Sequence, residues 1–307
     1  MTDTVDGAGL VGIGECMVEL SEVEGGLLRR AFAGDVFNTL WYAKRALREA
    51  QQVRFLSAVG TDVLSDQMLA FIEQSGIDTS RVQRIPDRRP GLYMIHLDGA
   101  ERSFSYWREN SAARLLASDM ARVSETLNAA AAIYFSGITL AILPPDDAEA
   151  LLKAIETAGT GDRLVAFDPN FRPVLWRDAG YMREMMARAA SVATIVLPSF
   201  DDERAAFGDA DAEATLSRYL SFGAEMVVLK NGDREVLVGQ AGADVQVHAT
   251  TPVADPLDTT GAGDSFNGAF LAEYMRSGQV VASVRAGQSC AAEVICHRGA
   301  LIDPGTS

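Results

Sequence analysis

The chain has 307 residues, 48% of them hydrophobic, which provides for a sizeable core and excludes general disorder. Its 42 Asp and Glu outnumber its 27 Lys and Arg, for a net charge of −15, and this argues against wrapping nucleic acid or lying on an anionic membrane. The length suits one compact α/β unit with an elaboration.

The N-terminus, MTDTVDGAG, is acidic and has no basic stretch or long apolar run, so no signal peptide is expected. A first strand is predicted at 10–14. Gly7, Gly9 and Gly12 satisfy G-x-G-x-x-G by letter, but that fingerprint needs a strand before the glycines and a helix after them. Here the glycines precede or lie within the strand and alternation follows, so the match is discarded. Residues 16–20 and 27–32 flank Glu24-Gly-Gly26 and predict a hairpin. Residues 91–97 and 103–107 flank Asp98-Gly99 in the same way. Both hairpins are expected to project from the main sheet as a small second sheet.

Further strands are predicted at 53–59, 133–136, 164–167, 194–197 and 226–230, with helical spacing at 146–158, 180–190 and 213–222. Apolar strands alternating with helices imply βαβ units and a mainly parallel sheet covered on both faces. Such sheets bind ligands at the carboxyl ends of their strands. A hairpin over 235–238 and 245–249 is expected at the sheet edge. The apolar runs are too short to span a bilayer.

Cys16, Cys290 and Cys296 form no CxxC pair, and their odd number excludes a complete disulfide framework, which suits a reducing, cytoplasmic compartment. His96, His248 and His297 lie far apart without metal-ligand spacing. No metal site can be assigned from these residues.

Asp258-Thr-Thr-Gly-Ala-Gly-Asp264-Ser-Phe-Asn-Gly268 carries the strongest chemical signal. Gly261, Ala262 and Gly263 let backbone approach a ligand closely, and Phe266, Ala269, Phe270 and Tyr274 recur at helical spacing. A glycine-rich turn entering a helix presents unpaired N–H groups and the positive end of the helix dipole, which suits phosphate or developing negative charge. Asp264 would sit beside that anion hole and could accept a proton. The plainer role, an N-cap, leaves the small residues before it unexplained.

This segment resembles the C-terminal signature of the ribokinase-like (PfkB) carbohydrate kinases. Ala33-Gly-Asp-Val-Phe-Asn38 resembles their N-terminal signature and opens a helix with Val36, Leu40, Ala43 and Leu47 on one face. The segments beginning at Ile13, Pro90, Ser105, Phe135 and Asp168 resemble the branch acting on 2-keto-3-deoxygluconate. The resemblance runs in order from about residue 10 to about residue 303. It implies a single ribokinase-like domain over 1–307, an α/β fold with a small antiparallel β lid whose hairpins lie near 15–32 and 91–107, and ATP-dependent phosphorylation of a sugar acid. Asp264 would be the base, and the backbone of Gly261 to Asp264 would hold the transferring phosphoryl group.

A sugar acid carries a carboxylate, and its site needs guanidinium donors in a fixed fork. Arg108 follows the predicted lid strand, and Arg172 follows the strand at 164–167, where a parallel sheet places its ligands. They match substrate positions of the resembling family, as do Gly34, Asp35, Asn38, Tyr93 and Tyr106. Lys230, Gly232 and Asp233 resemble the family's loop near ATP, and Asn170 and Ser199 also fall on the nucleotide side. Many relatives carry N-x-x-E where this chain has Ser199-Phe-Asp-Asp202, a departure in chain length and in amide. Mg2+ is expected with ATP. A kinase for fructose or keto-deoxygalactonate, and a non-catalytic sugar sensor, remain as alternatives. The lid hairpins leave sheet edges, which proteins usually cover. Members of the resembling family often cover them by clasping two lids, so the resemblance implies a homo-oligomer through the β lid.

Overall fold

The computed structural model describes residues 9–47, 51–98 and 101–302. The turn expected at Asp98-Gly99 therefore lies partly outside the described residues, as does Gly7. The chain begins with β1 (Leu10–Ile13), β2 (Met17–Val23), β3 (Leu27–Ala33), α1 (Asp35–Ala46), β4 (Val53–Leu56), β5 (Ala58–Val59), α2 (Val63–Gln74), β6 (Gln83–Arg84), β7 (Leu92–Asp98) and β8 (Glu101–Trp107). It continues through α3 (Met120–Asn128), β9 (Ala132–Ser136), α4 (Gly137–Ile142), α5 (Pro145–Ala158), β10 (Leu164–Asp168), α6 (Ala179–Ser191), β11 (Ile195–Val196), α7 (Phe200–Phe207) and α8 (Ala212–Phe222). The last elements are β12 (Met226–Asn231), β13 (Glu235–Gln240), β14 (Gln246–Ala249), α9 (Ala262–Ser277) and α10 (Val280–Val294).

Eight strands form the main sheet in the order β14-β13-β12-β11-β10-β9-β1-β4. The six from β12 to β4 are parallel, and β13 and β14 add an antiparallel hairpin at the edge. Alternate side chains leave a strand on opposite faces. Val11, Ile13, Ile133, Phe135, Val165, Phe167, Val227 and Leu229 therefore pack with α3, α5, α6 and α8. Leu10, Ala132, Tyr134, Ala166, Ile195, Met226 and Val228 pack with α1, α2, α9 and α10 on the other side. Burial on both faces explains why these strands read as unbroken apolar runs.

The second sheet has the order β3-β2-β7-β8. Each hairpin is antiparallel within itself, and the seam joining them, β2 to β7, is parallel. The hairpins meet first strand to first strand, so the two inner strands run the same way. The run expected as one strand over 53–59 is broken. β5 leaves the main sheet to pair with β6, and Gln83 N–H donates to the carbonyl of Ser57 at 2.9 Å where the chain diverges.

Candidate active site

The turn before α9 is shaped by Gly261, whose φ of 78° lies in the left-handed region. A Cβ there would stand 2.7 Å from the carbonyl oxygen of Ala300. Helix α9 thus starts with a bare backbone end, and Gly261 caps it without a side-chain bond. Asp264 lies in the first turn rather than at the cap, so its carboxylate is available for other work.

Asn38 on α1 donates from Nδ2 to Asp264 Oδ2 at 2.8 Å, while its Oδ1 accepts the N–H of Gly34 at 3.2 Å. Gly34 is required by packing, since a Cβ would collide with the carbonyl oxygen of Glu15. The two sequence signatures, more than 220 positions apart, therefore meet at one carboxylate. Burial pushes the Asp264 carboxyl up to about 7, and the nearby charges of Asp35 and Asp168 push the same way. The Asn38 bond and the Lys230 ammonium oppose them. Burial also raises Asp35, against a hydrogen bond involving Ser136. Asn170, with φ of 35°, donates to Asp35 Oδ2 at 3.1 Å.

Behind Asp264 a polar chain crosses the core. Lys230 Nζ donates to Asn267 Oδ1 at 2.9 Å, and Asn267 Nδ2 donates to Asp168 Oδ2 at 2.8 Å and to the Tyr134 hydroxyl at 3.2 Å. Lys230 Nζ also lies 3.9 Å from Asp168 Oδ1. A Cβ on Gly263 would come 3.9 Å from Lys230 Nζ, so the ammonium stands beside the start of α9. Ala262 is half-buried in that same turn.

On the lid side, buried Arg108 donates to Glu15 Oε2. Tyr93 donates to Glu19, and its ring lies 5.9 Å from that of Tyr106, which is half-exposed. Arg172 is exposed and donates from Nη1 to the carbonyl of Phe171 at 2.6 Å. Its charge holds Asp202 down against the burial that raises it. Ser199 caps α7 without a side-chain bond and is bridged through its backbone to Lys230. Gly232 and Asp233 are exposed in the turn between β12 and β13, at the outer margin of this group.

Asp168, Asn267 and Glu15 are absent from the residues singled out by sequence, although each has a signal. Asp168 ends a parallel strand, Asn267 stands three positions after Asp264 on one helical face, and Glu15 follows β1. Asp168 and Asp202 offer carboxylate oxygens near Lys230, a donor set that fits a hard, partly hydrated cation held mainly by a substrate's phosphates. Among the described residues no group of three or more His, Cys, Asp or Glu could hold a metal ion. No helix among them is long and apolar enough to cross a membrane.

A bare helix N-terminus, a carboxylate with ionisation near neutrality and flanking cations suit proton removal beside an anion in transfer. The family model for pfkB family carbohydrate kinases matches residues 8–305. The chain belongs to that family and is a sugar kinase. It is 38% identical over 296 residues to a 2-dehydro-3-deoxygluconokinase of Escherichia coli (strain K12), covering 94% of this chain and 96% of the relative. Identity to the 2-dehydro-3-deoxygluconokinase of Haemophilus influenzae is 36% over 300 residues, covering 95% and 94%. An E. coli protein assigned as ribokinase II, solved with ATP and Mg2+, shares the fold with a TM-score of 0.81 at 20% identity, covering 95% and 94%.

Proposed function

We propose that the protein uses ATP to phosphorylate 2-keto-3-deoxygluconate (2-dehydro-3-deoxygluconate), giving 2-keto-3-deoxy-6-phosphogluconate. The observation that carries the chemistry is Asp264, held by Asn38 beside the open N-terminus of α9 with its carboxyl near neutrality. The acid substrate follows from the activity of its relatives, and Arg108 and Arg172 supply the guanidinium groups that such a substrate needs.

In this reading Asp264 takes the proton of the acceptor hydroxyl. The N–H groups of Gly261, Gly263 and Asp264 hold the oxygens of the phosphoryl group in transfer, while that of Ala262 donates to the carbonyl of Thr259 at 3.2 Å and shapes the turn. Gly34, Asp35, Asn38, Tyr93, Tyr106, Arg108 and Arg172 bind the sugar acid. Asn170, Ser199, Lys230, Gly232 and Asp233 border ATP, and Lys230 balances phosphate charge. Mg2+ on the phosphates would be held through water by Asp168 and Asp202, and it would neutralise charge there. Aspartate at 202 reaches less far than glutamate, which favours water in between.

We read residues 1–307 as one kinase domain with the lid hairpins inserted in its core, working in the cytoplasm. Leu27, Phe104 and Trp107 expose 68%, 44% and 55% of their surface on the lid, which supports a homo-oligomer clasped through it. A substrate panel with Mg-ATP tests the assignment. The keto-deoxy acid should be used far better than fructose or ribose, and the reverse order would overturn it. Keto-deoxygalactonate in the same panel separates the two epimers.

A further inference from the structure

Glu15 follows the carboxyl end of β1 and Arg108 follows the carboxyl end of β8, so their ion pair ties the core sheet to the lid across 93 positions. Both are buried, at 2% and 9% exposure. The pair is nonetheless incomplete. Arg108 Nη2 binds Glu15 Oε2, while Arg108 Nε and Glu15 Oε1 are buried without a partner. Buried polar groups in folded proteins are almost always bonded, so a spare donor on a guanidinium at the edge of a ligand cleft marks a place for an incoming acceptor. Arg108 is close enough to the cleft for its charge to act on Asp35, which Asn170 also contacts.

The neighbouring backbone makes room for this arrangement. A Cβ on Gly91 would stand 2.7 Å from Glu15 Oε1 and 3.3 Å from Arg108 Cβ. One carboxylate oxygen on one guanidinium nitrogen, in a buried setting, restrains where the fork can lie and leaves its other N–H groups for a second carboxylate. The geometry points to Glu15 as a positioning residue: it holds the Arg108 guanidinium so that its free N–H groups meet the carboxylate of the substrate, and it thereby sets the preference for sugar acids over neutral sugars. This rests on the sugar-acid reading above.

The test is steady-state kinetics of the full chain with 2-keto-3-deoxygluconate and, separately, with fructose. Glu15→Gln keeps the shape and removes the charge that orients the arginine. It should raise KM for the acid by about tenfold or more, the loss expected of one charge-assisted hydrogen bond. Its kcat, its KM for Mg-ATP and any fructose turnover should stay within about threefold of wild type, since none of these uses the guanidinium. Gly91→Ala retains both charges but crowds them, and it should give the same split. Arg108→Ala separates the two levels of the argument. If it leaves KM for the acid unchanged, the sugar-acid role of Arg108 fails. If it raises that KM while Glu15→Gln and Gly91→Ala do not, the positioning role alone is overturned. A uniform fall in kcat and in both affinities, accompanied by a lower melting temperature, would show a merely structural pair and would also overturn it.

Discussion

Asp264 and Glu203 are both carboxyl groups pushed up by burial, to about 7 and about 8, yet their surroundings are opposite in kind. Glu203 lies on α7 with no exposed surface, and its two oxygens accept from Arg218 Nη2 at 2.8 Å and from the Tyr219 hydroxyl at 2.9 Å. Arg218 also binds Asp209, and its guanidinium lies 3.7 Å from the ring centroid of Phe207. Opposite charge and aromatic faces close in around Glu203 and leave it no approach. Asp264 has Asn38 as its hydrogen-bond partner, other carboxylates nearby, and a helix end that presents N–H groups beside it. A raised carboxyl is therefore not itself a mark of function. Asp209 also crowds Glu203, but Arg218 and Tyr219 occupy both of its oxygens. What distinguishes Asp264 is two carboxylates, Asp35 and Asp168, beside it with no arginine among the described residues paired to it, next to an open helix end.

The largest contrast should come from removing each carboxylate. Asp264→Asn is expected to cost about 10²–10⁴ in kcat, the usual contribution of a positioned base. Glu203→Gln should keep kcat near wild type, because its side chain bonds Arg218 and Tyr219, neither of which is assigned to substrate or ATP; a comparable loss in both variants would erase the distinction. The second contrast is in stability. Arg218→Met leaves Glu203 and Asp209 without their cation and should cost about 3–5 kcal/mol in urea unfolding, as for other broken buried pairs. Lys230→Met, by contrast, should cost less stability and should raise KM for Mg-ATP.

A smaller effect has a definite sign. Asp264 titrates higher in the folded state than in an unfolded chain, so folding favours its protonated form. Wild type and Asp264→Asn should thus melt alike near pH 3. As pH rises from about 4 through about 7, wild type should lose stability relative to the variant, and an unchanged difference across that window would contradict the raised value. Smallest in energy, and confined to the lid, is association. Leu27→Arg with Trp107→Arg should yield monomers by light scattering without unfolding the core, whereas wild type should be an oligomer at micromolar concentration.

The two ends of the cleft differ in how far they could be read from sequence. Short-range patterns carried the α9 side: glycines before a helical period announced both the bare helix end and Asp264. The strands of the main sheet were equally plain, since burial on both faces makes each an apolar run. The lid hairpins were visible from their turns, but their parallel seam was not, because strand pairing between separate hairpins leaves no local mark. The same holds for Glu15 with Arg108 and for Lys230 with Asn267 and Asp168, whose partners are brought together only by sheet order. The break after Leu56 was hidden because residues 53–59 stay apolar enough for one strand while Ser57 pairs elsewhere.

The central claim is that a half-buried, acid-crowded Asp264 acts as the base, and the pH dependence of kcat/KM for 2-keto-3-deoxygluconate tests it most directly. Because the base must be ionised, log kcat/KM should fall with unit slope below an apparent ionisation near 7 and be level above it. A profile that stayed level down to pH 5 would contradict the account.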